Sequence, residues 1–434
     1  MNYSRLSGII FLEDSMNPNA FAHRKSALTL HLTKPGGGPL ANQTVKLEQK
    51  RHQFLFGVGG FEAVALAGET VPGGKALSHQ ERAKIEECLD RIFSLCNYAT
   101  LPFYWGRYES EEGKPMEAAT IAAARYYAER GIVTKGHPLC WHTVCAPWLM
   151  KYSNAEILRR QLARIDRDVS AFKGLIDMWD VINEAVIMPI FDKYDNAMTR
   201  VCRDLGRVRM IKEVFTAARK ANPQATLLLN DFETSSSYEI LVDGCLNAGI
   251  PIDVIGIQSH QHQGYWGKEK LLEVLDRYSY FGKPIHFTEN TIISGDIMPP
   301  HIVDLNDWQV ESWPSTPEGE ERQAGEITEM YEILFAHPAV EAVSTWDSTD
   351  GRWLHAPSGL LRADNSIKPA YTSLMNKIKG EWWTRGEFST DAEGNLEIYG
   401  FRGDYEISCR DIKAPFSLNG RHLELQLQLQ LELA

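Results

Sequence analysis

Residues 178–184 read MWDVINE. Trp179, Val181 and Ile182 form a short apolar run stopped by Asn183 and Glu184, and such a run with β-branched members reads as a buried strand. Upstream, AEILRRQLARIDRDVSAFKG (155–174) returns to an apolar residue every three or four positions, and downstream VRMIKEVFTAARKANP (208–223) does the same before stopping at Asn-Pro. Both read as amphipathic helices. The next apolar run is TLLLND at 226–231. Strand, helix, strand in this rhythm predicts parallel pairing with the helices packed outside.

The same rhythm extends in both directions. Further candidate strands are FLFGV (54–58), LCNYATL (95–101), IVTKGHP (132–138), DVIGIQSH (253–260), PIHFTE (284–289) and AVSTWD (342–347), with helices HQERAKIEECLDRIF and MEAATIAAARYYAERG between the early ones. Eight such units argue for a (β/α)8 TIM barrel with insertions, an α/β fold. Both ends of the chain have a different pattern. ALTLHLTKPGGGPLANQTVKLEQKRHQFLFG alternates on either side of the turn PGGGP, the run 391–406 repeats that logic around Glu393-Gly394-Asn395, and LELQLQLQLELA closes the chain. The expected organisation is residues 1–50 and 381–434 as strands of one small accessory β sheet, and 51–380 as the barrel.

Composition narrows the partners. Asp and Glu outnumber Lys and Arg by 57 to 45, for a net charge of −12, so no basic footprint exists for a phosphate backbone or an anionic membrane. Neither nucleic acid nor membrane is expected as a partner. Seven Cys make no C-x-x-C pair, and neither structural metal nor disulfide framework is expected. The start MNYSRLSGIIFLEDSM has an apolar run too short for a secretory signal, so the chain reads as cytoplasmic, or as secreted with its signal removed. Eleven Trp, sixteen Tyr and seventeen Phe exceed what a core of this size needs, and flat apolar faces suit carbohydrate.

Catalytic groups in such barrels lie at the C-terminal ends of strands. These ends carry His137, Asn183-Glu184, Asn230-Asp231, Gln258 with His260, Glu289-Asn290 and Trp346-Asp347. Two carboxyls, Glu184 and Glu289, therefore face one mouth, which suits glycoside hydrolysis: one protonates the leaving oxygen while the other attacks the anomeric carbon or activates water.

Five co-linear segments carry a resemblance. GHPLCWHTVCAPWL (136–149), WDVINEAV (179–186), IDVIGIQSH (252–260), PIHFTE (284–289) and AVSTWD…GRWL with the closing KPAY (368–371) resemble glycoside hydrolase family 10, the endo-β-1,4-xylanases, over approximately residues 54–378. The resemblance implies a cofactor-free retaining hydrolase of β-1,4-xylosidic bonds in xylan or xylo-oligosaccharides. It makes Glu184 the general acid/base, Glu289 the nucleophile and Asn183 the contact to the sugar 2-hydroxyl. By the same likeness His260 holds the nucleophile, Gln258 contacts that region, and His137, Trp141, His142, Trp346 and Trp353 line the −1 subsite. Retention requires carboxyls ~5–5.5 Å apart and a raised Glu184 pKa.

The chain departs from the family after the second strand. There the family reads like E-N-x-x-K-W, supplying polar contacts at the −2 subsite, whereas TLPFYWGRYESEEGK places Thr100, Leu101 and Tyr104 there and keeps only Trp105. Thr291 also stands where the family often has an Asp that orients the histidine. Tyr104 and Trp105 are the residues left to meet substrate on that side, and Trp308 and Trp313 are candidates for distal contacts.

The same residues also admit other readings. His260-Gln261-His262 could be a metal pair on one strand face, but barrel metallohydrolases place H-x-H on the first strand and here it follows the sixth. GVGGFEA (57–63) lacks the third glycine of a dinucleotide loop, and GETVPGGK (68–75) is one residue too long for a P-loop. A related β-glycosidase acting on decorated oligosaccharides or glycosides, or a non-catalytic carbohydrate-binding barrel, stands as the alternative function.

Overall fold

A computed structural model describes residues 20–68, 70–71, 75–410, 412–420, 423–428 and 430–431. The opening residues and part of GETVPGGK lie outside them, as do parts of the closing LELQLQLQLELA. The chain divides into two compact units, with boundaries at Gln53/Phe54 and Trp383/Thr384, each three residues beyond those expected.

In the larger unit eight parallel strands close into a barrel in simple sequential order. They are β1 (Leu55–Gly59), β2 (Tyr98–Pro102), β3 (Val133–His137), β4 (Met178–Asn183), β5 (Thr226–Asp231), β6 (Val254–Gln261), β7 (Ile285–Ile292) and β8 (Val340–Thr345). β8 pairs with β1 at Ala342↔Leu55, which completes the ring. All eight expected strands form within a few residues of their expected bounds. β7 runs three residues past Glu289, and β8 ends before Trp346, which leaves that ring and Asp347 on the loop. Among the described residues no helix is long and apolar enough to cross a membrane.

The helices begin where their sequences supply caps. Ser78 and Glu81 form a reciprocal capping box at the start of His79–Leu95, and Ser153 accepts from the Glu156 N–H at the start of Asn154–Ala171. The latter buries Ile157, Ile165 and Val169 along one face. Arg164 on that face is buried too, and donates to the Leu139 and Phe103 carbonyls while pairing with Asp168. Its charge thereby fixes the loops that follow β2 and β3.

The smaller unit corrects one expectation. Two sheets form, where one was expected. Lys25–Thr33 pairs with Asn395–Phe401 and Leu423–Gln428, while Thr44–His52 joins a second sheet beside Arg385–Ser389 and Gly403–Cys409. PGGGP is thus a passage between sheets. The reason lies in the alternation itself: each strand has one apolar face, and two facing sheets bury Leu28, Leu30, Val45, Leu47, Ile398, Ile407 and Phe416 in one core.

Candidate active site

Register brings the polar strand ends into one row. Asn183 on β4 lies beside Asn230 on β5, and Gln258 on β6 beside Glu289 on β7, with a register shift at Ile257/Gln258 that advances Gln258 onto Glu289. Asn230 joins the two halves. Its amide donates to Asn183 Oδ1 at 2.8 Å and to Glu289 Oε1 at 2.9 Å, and its own Oδ1 accepts from Thr288 at 2.7 Å. Room for that side chain comes from Gly256 on the next strand, where a Cβ would stand 2.4 Å from Asn230 Oδ1.

Glu184 follows β4 directly, with φ at +56°. A non-glycine residue in this left-handed region carries strain of order 1–3 kcal/mol, and such strain concentrates at working sites. Trp141 donates to Oε2 at 2.8 Å, Asn183 to Oε1 at 3.2 Å and Gln258 to Oε1 at 3.4 Å. Even so, burial dominates and lifts this carboxyl to about 8, with Asp231 and Glu289 adding repulsion. At neutral pH this favours its protonated form.

Glu289 is buried as well, yet its net shift is the opposite. Burial would raise it, but the charges of His137, His260 and Lys135 and the His260 hydrogen bond outweigh that and hold it below the usual carboxylate range. His260 Nε2 stands 3.3 Å from Oε2, and His137 Nε2 3.8 Å from Oε1. Behind His137 a buried chain continues: its Nδ1 meets Asp180 Oδ2 at 2.7 Å, and Lys135 meets the same oxygen at 2.6 Å. Lys135 and His137 sit two apart on β3, hence on one face.

His260 is oriented by a hydroxyl. Its Nδ1 lies 3.4 Å from Thr291 Oγ1, which in turn lies 3.3 Å from His262 Nδ1. Burial and the neighbouring His260 push His262 down to about 3, so it is neutral and can serve as a hydrogen-bond partner without charge.

The aromatic residues divide. Trp346 stacks edge-on to His137 and Phe61 at 5.3 Å from each, and Trp353 lies 4.5 Å from His260. Tyr104 packs against His137 at 5.5 Å and Trp141 at 5.6 Å. His142, lowered to about 4 by burial, sits 4.5 Å from Phe191 with Nε2 3.9 Å from Glu184. Trp105 is not brought to this cluster. It begins the short helix Trp105–Tyr108, which turns it inward to bond Glu109 and pack on Trp148 and Arg164. Trp313 is also buried, donating to the Asp296 carbonyl beside Trp308.

Sequence reading of the site omitted Lys135, Asp180 and Phe61, and named Asn230 only as a polar strand end. The available signal for the first two was a charge inside an otherwise apolar strand.

A closed parallel barrel with one protonated and one ionised carboxyl at the same mouth belongs to the class of two-carboxylate barrel hydrolases. The chain is a member of glycosyl hydrolase family 10, whose family model matches residues 77–377. Relatives include an endo-1,4-β-xylanase of Geobacillus stearothermophilus, 26% identical over 62% of this chain and 84% of its own length. Another is endo-1,4-β-xylanase 3 of Hypocrea jecorina, 29% identical over 63% and 73%. This chain spans only 39% of the endo-1,4-β-xylanase/feruloyl esterase of Xylanibacter ruminicola, at 24% identity over 61% of its own length. The fold is shared with native xylanase 10B of Thermotoga maritima, at a TM-score of 0.59 and 20% identity over 76% of this chain and 96% of that one.

Proposed function

We propose that this protein hydrolyses β-1,4-xylosidic bonds in xylan or xylo-oligosaccharides with retention of configuration, as an endo-1,4-β-xylanase-like glycoside hydrolase. Glu184 is the general acid/base and Glu289 the nucleophile. The observation that carries this reading is the opposite protonation of two carboxyls linked through Asn183 and Asn230. Glu184 gives its proton to the leaving oxygen as Glu289 attacks the anomeric carbon, and a covalent glycosyl-enzyme forms. Glu184 then takes a proton from the water that releases the sugar. Asn183 meets the 2-hydroxyl, and Trp141, His137, His142, Trp346 and Trp353 surround the reacting sugar, with Tyr104 at the −2 side.

Several relatives are named as endo-1,4-β-xylanases, which supports the substrate class. The test is trapping with a 2-fluoro-xyloside followed by mass spectrometry of peptides. A covalent adduct on Glu289, and loss of turnover in Glu289→Ala, are expected. Unimpaired turnover by Glu289→Ala with no adduct sinks the assignment.

A further inference from the structure

The loop after β7 is long, running from Ile293 to Thr316 before the helix Pro317–Ala336 begins. Apart from one 3-10 turn at Leu305–Asp307 it has no regular structure, and loops of that length are uncommon in compact domains unless they serve a function. This one has its own core. Ile293, Met298 and Trp313 are buried with Ala356, and Ile302, Leu305, Trp308 and Val310 pack against them.

Its fastenings show where it runs. Near its root Met298 N–H donates to the His262 carbonyl at 2.9 Å, and Gln263 donates to the carbonyls of Pro299 and Ile302 at 3.0 and 2.8 Å. Those hold it to the loop after β6. From the loop after β8, Trp353 donates to Asn306 at 3.3 Å. Its tip is then gripped from the far side: Lys193, in the loop after β4, pairs with Asp304 at 2.7 Å and Asp307 at 2.6 Å. β5 and β6 separate β4 from β7 in the ring, so a segment rooted at one and fastened at the other spans the mouth.

The side it spans is set by chemistry. An acid must stand beside the oxygen it protonates, so the leaving group lies on the Glu184 side. Lys193 is nine residues past Glu184, and the charge of Asp304 acts on His142, whose Nε2 is 3.9 Å from Glu184. The loops there leave apolar side chains exposed. Ile190 and Tyr194 after β4, Phe232 after β5, and Ile297 and Val303 on the loop itself are half of the large hydrophobic residues left exposed among the described residues.

We infer that residues 296–308 form a strap over the leaving-group side, so that among β-1,4-xylosidic substrates the enzyme favours short xylo-oligosaccharides and xylosides with a small, partly apolar leaving group over the interior of a long chain. This rests on the glycosidase reading above and specifies its substrate.

The experiment compares kcat/KM for 4-nitrophenyl β-xylobioside and for polymeric xylan, in the wild type and in two variants, Lys193→Ala and Asp304→Ala/Asp307→Ala. The wild type should favour the aryl glycoside and lower xylan viscosity only slowly. Both variants should raise the polymer-to-aryl ratio several-fold, and an unchanged thermal unfolding midpoint serves as the control for folding. Rapid loss of xylan viscosity with the wild type, or an unmoved ratio in both variants, overturns the strap while aryl turnover and the Glu289 adduct leave the glycosidase reading standing. Absence of both turnover and adduct overturns that reading and the strap with it.

Discussion

The Trp141 indole N–H donates to Oε2 of Glu184 at 2.8 Å, a charge-seeking bond onto a carboxyl that burial keeps protonated. The donor favours the ionised form, so it moderates the upward shift that burial causes. Removing it as Trp141→Phe should raise the Glu184 pKa further. The alkaline limb of kcat/KM, which reports the acid in the free enzyme, should therefore move to higher pH. A pH–rate profile on an activated aryl glycoside checks this. An alkaline limb that moves down contradicts the assignment.

The same shift bears on stability. Glu184 has a folded pKa of about 8, above the ordinary value near 4.5, so between these the folded state holds the extra proton. Stability contributed here is present below about 4.5 and is lost as pH rises toward 8. Glu184→Gln does not titrate. Its Tm advantage over the wild type should widen from pH 5 to pH 8, while kcat drops by about 10²–10⁴ through loss of the acid. Calorimetry across that range measures it, and a constant Tm difference would show that the carboxyl is not held protonated.

Lys135 and Asp180 form a pair with no exposure to solvent. Breaking such a pair from one side leaves an uncompensated charge, so Lys135→Met should destabilise by about 3–5 kcal/mol in urea unfolding. Restoring neutrality with Lys135→Met/Asp180→Asn should recover part of that stability. Activity should not return with it. Asp180 accepts from His137, and the Lys135 and His137 charges help keep Glu289 ionised, so the acid limb of kcat/KM should shift up in both variants.

Gly256→Ala probes the row from another side. The new Cβ would meet Asn230 Oδ1 at 2.4 Å, and the displaced amide would let go of Asn183 and Glu289 together. A large fall in kcat with a modest change in KM is the expected split, because the substrate's distal contacts are untouched. If only KM moves, Asn230 does not position the reacting groups.

How much of this could be read from sequence depended on where each residue's partner lies. Buried parallel strands are continuous apolar runs, so all eight showed themselves, and Glu184 and Glu289 stood out because strand ends in a barrel converge. Trp105 could not be placed that way, since one turn of helix decides whether its ring faces the mouth or Glu109. Lys135 lies within IVTKGHP, where its role depends on an Asp that arrives from the next strand. The separation of the terminal strands into two sheets was hidden for a related reason. Alternation tells which face is buried but is silent about the partner that buries it. The strap has no period at all, and only its fastenings reveal its course.

The two-sheet unit is woven from chain segments that precede and follow the barrel in sequence, with Thr44–His52 lying between Arg385–Ser389 and Gly403–Cys409. Topologically, the barrel is a guest inserted into a host whose halves are separated by more than three hundred residues. Such a host cannot be gained or shed by joining genes end to end, as an appended domain can. A deletion from either terminus would instead strand half a sandwich, with open edges ready to pair with other molecules. An engineer wanting the barrel alone must cut at both seams at once.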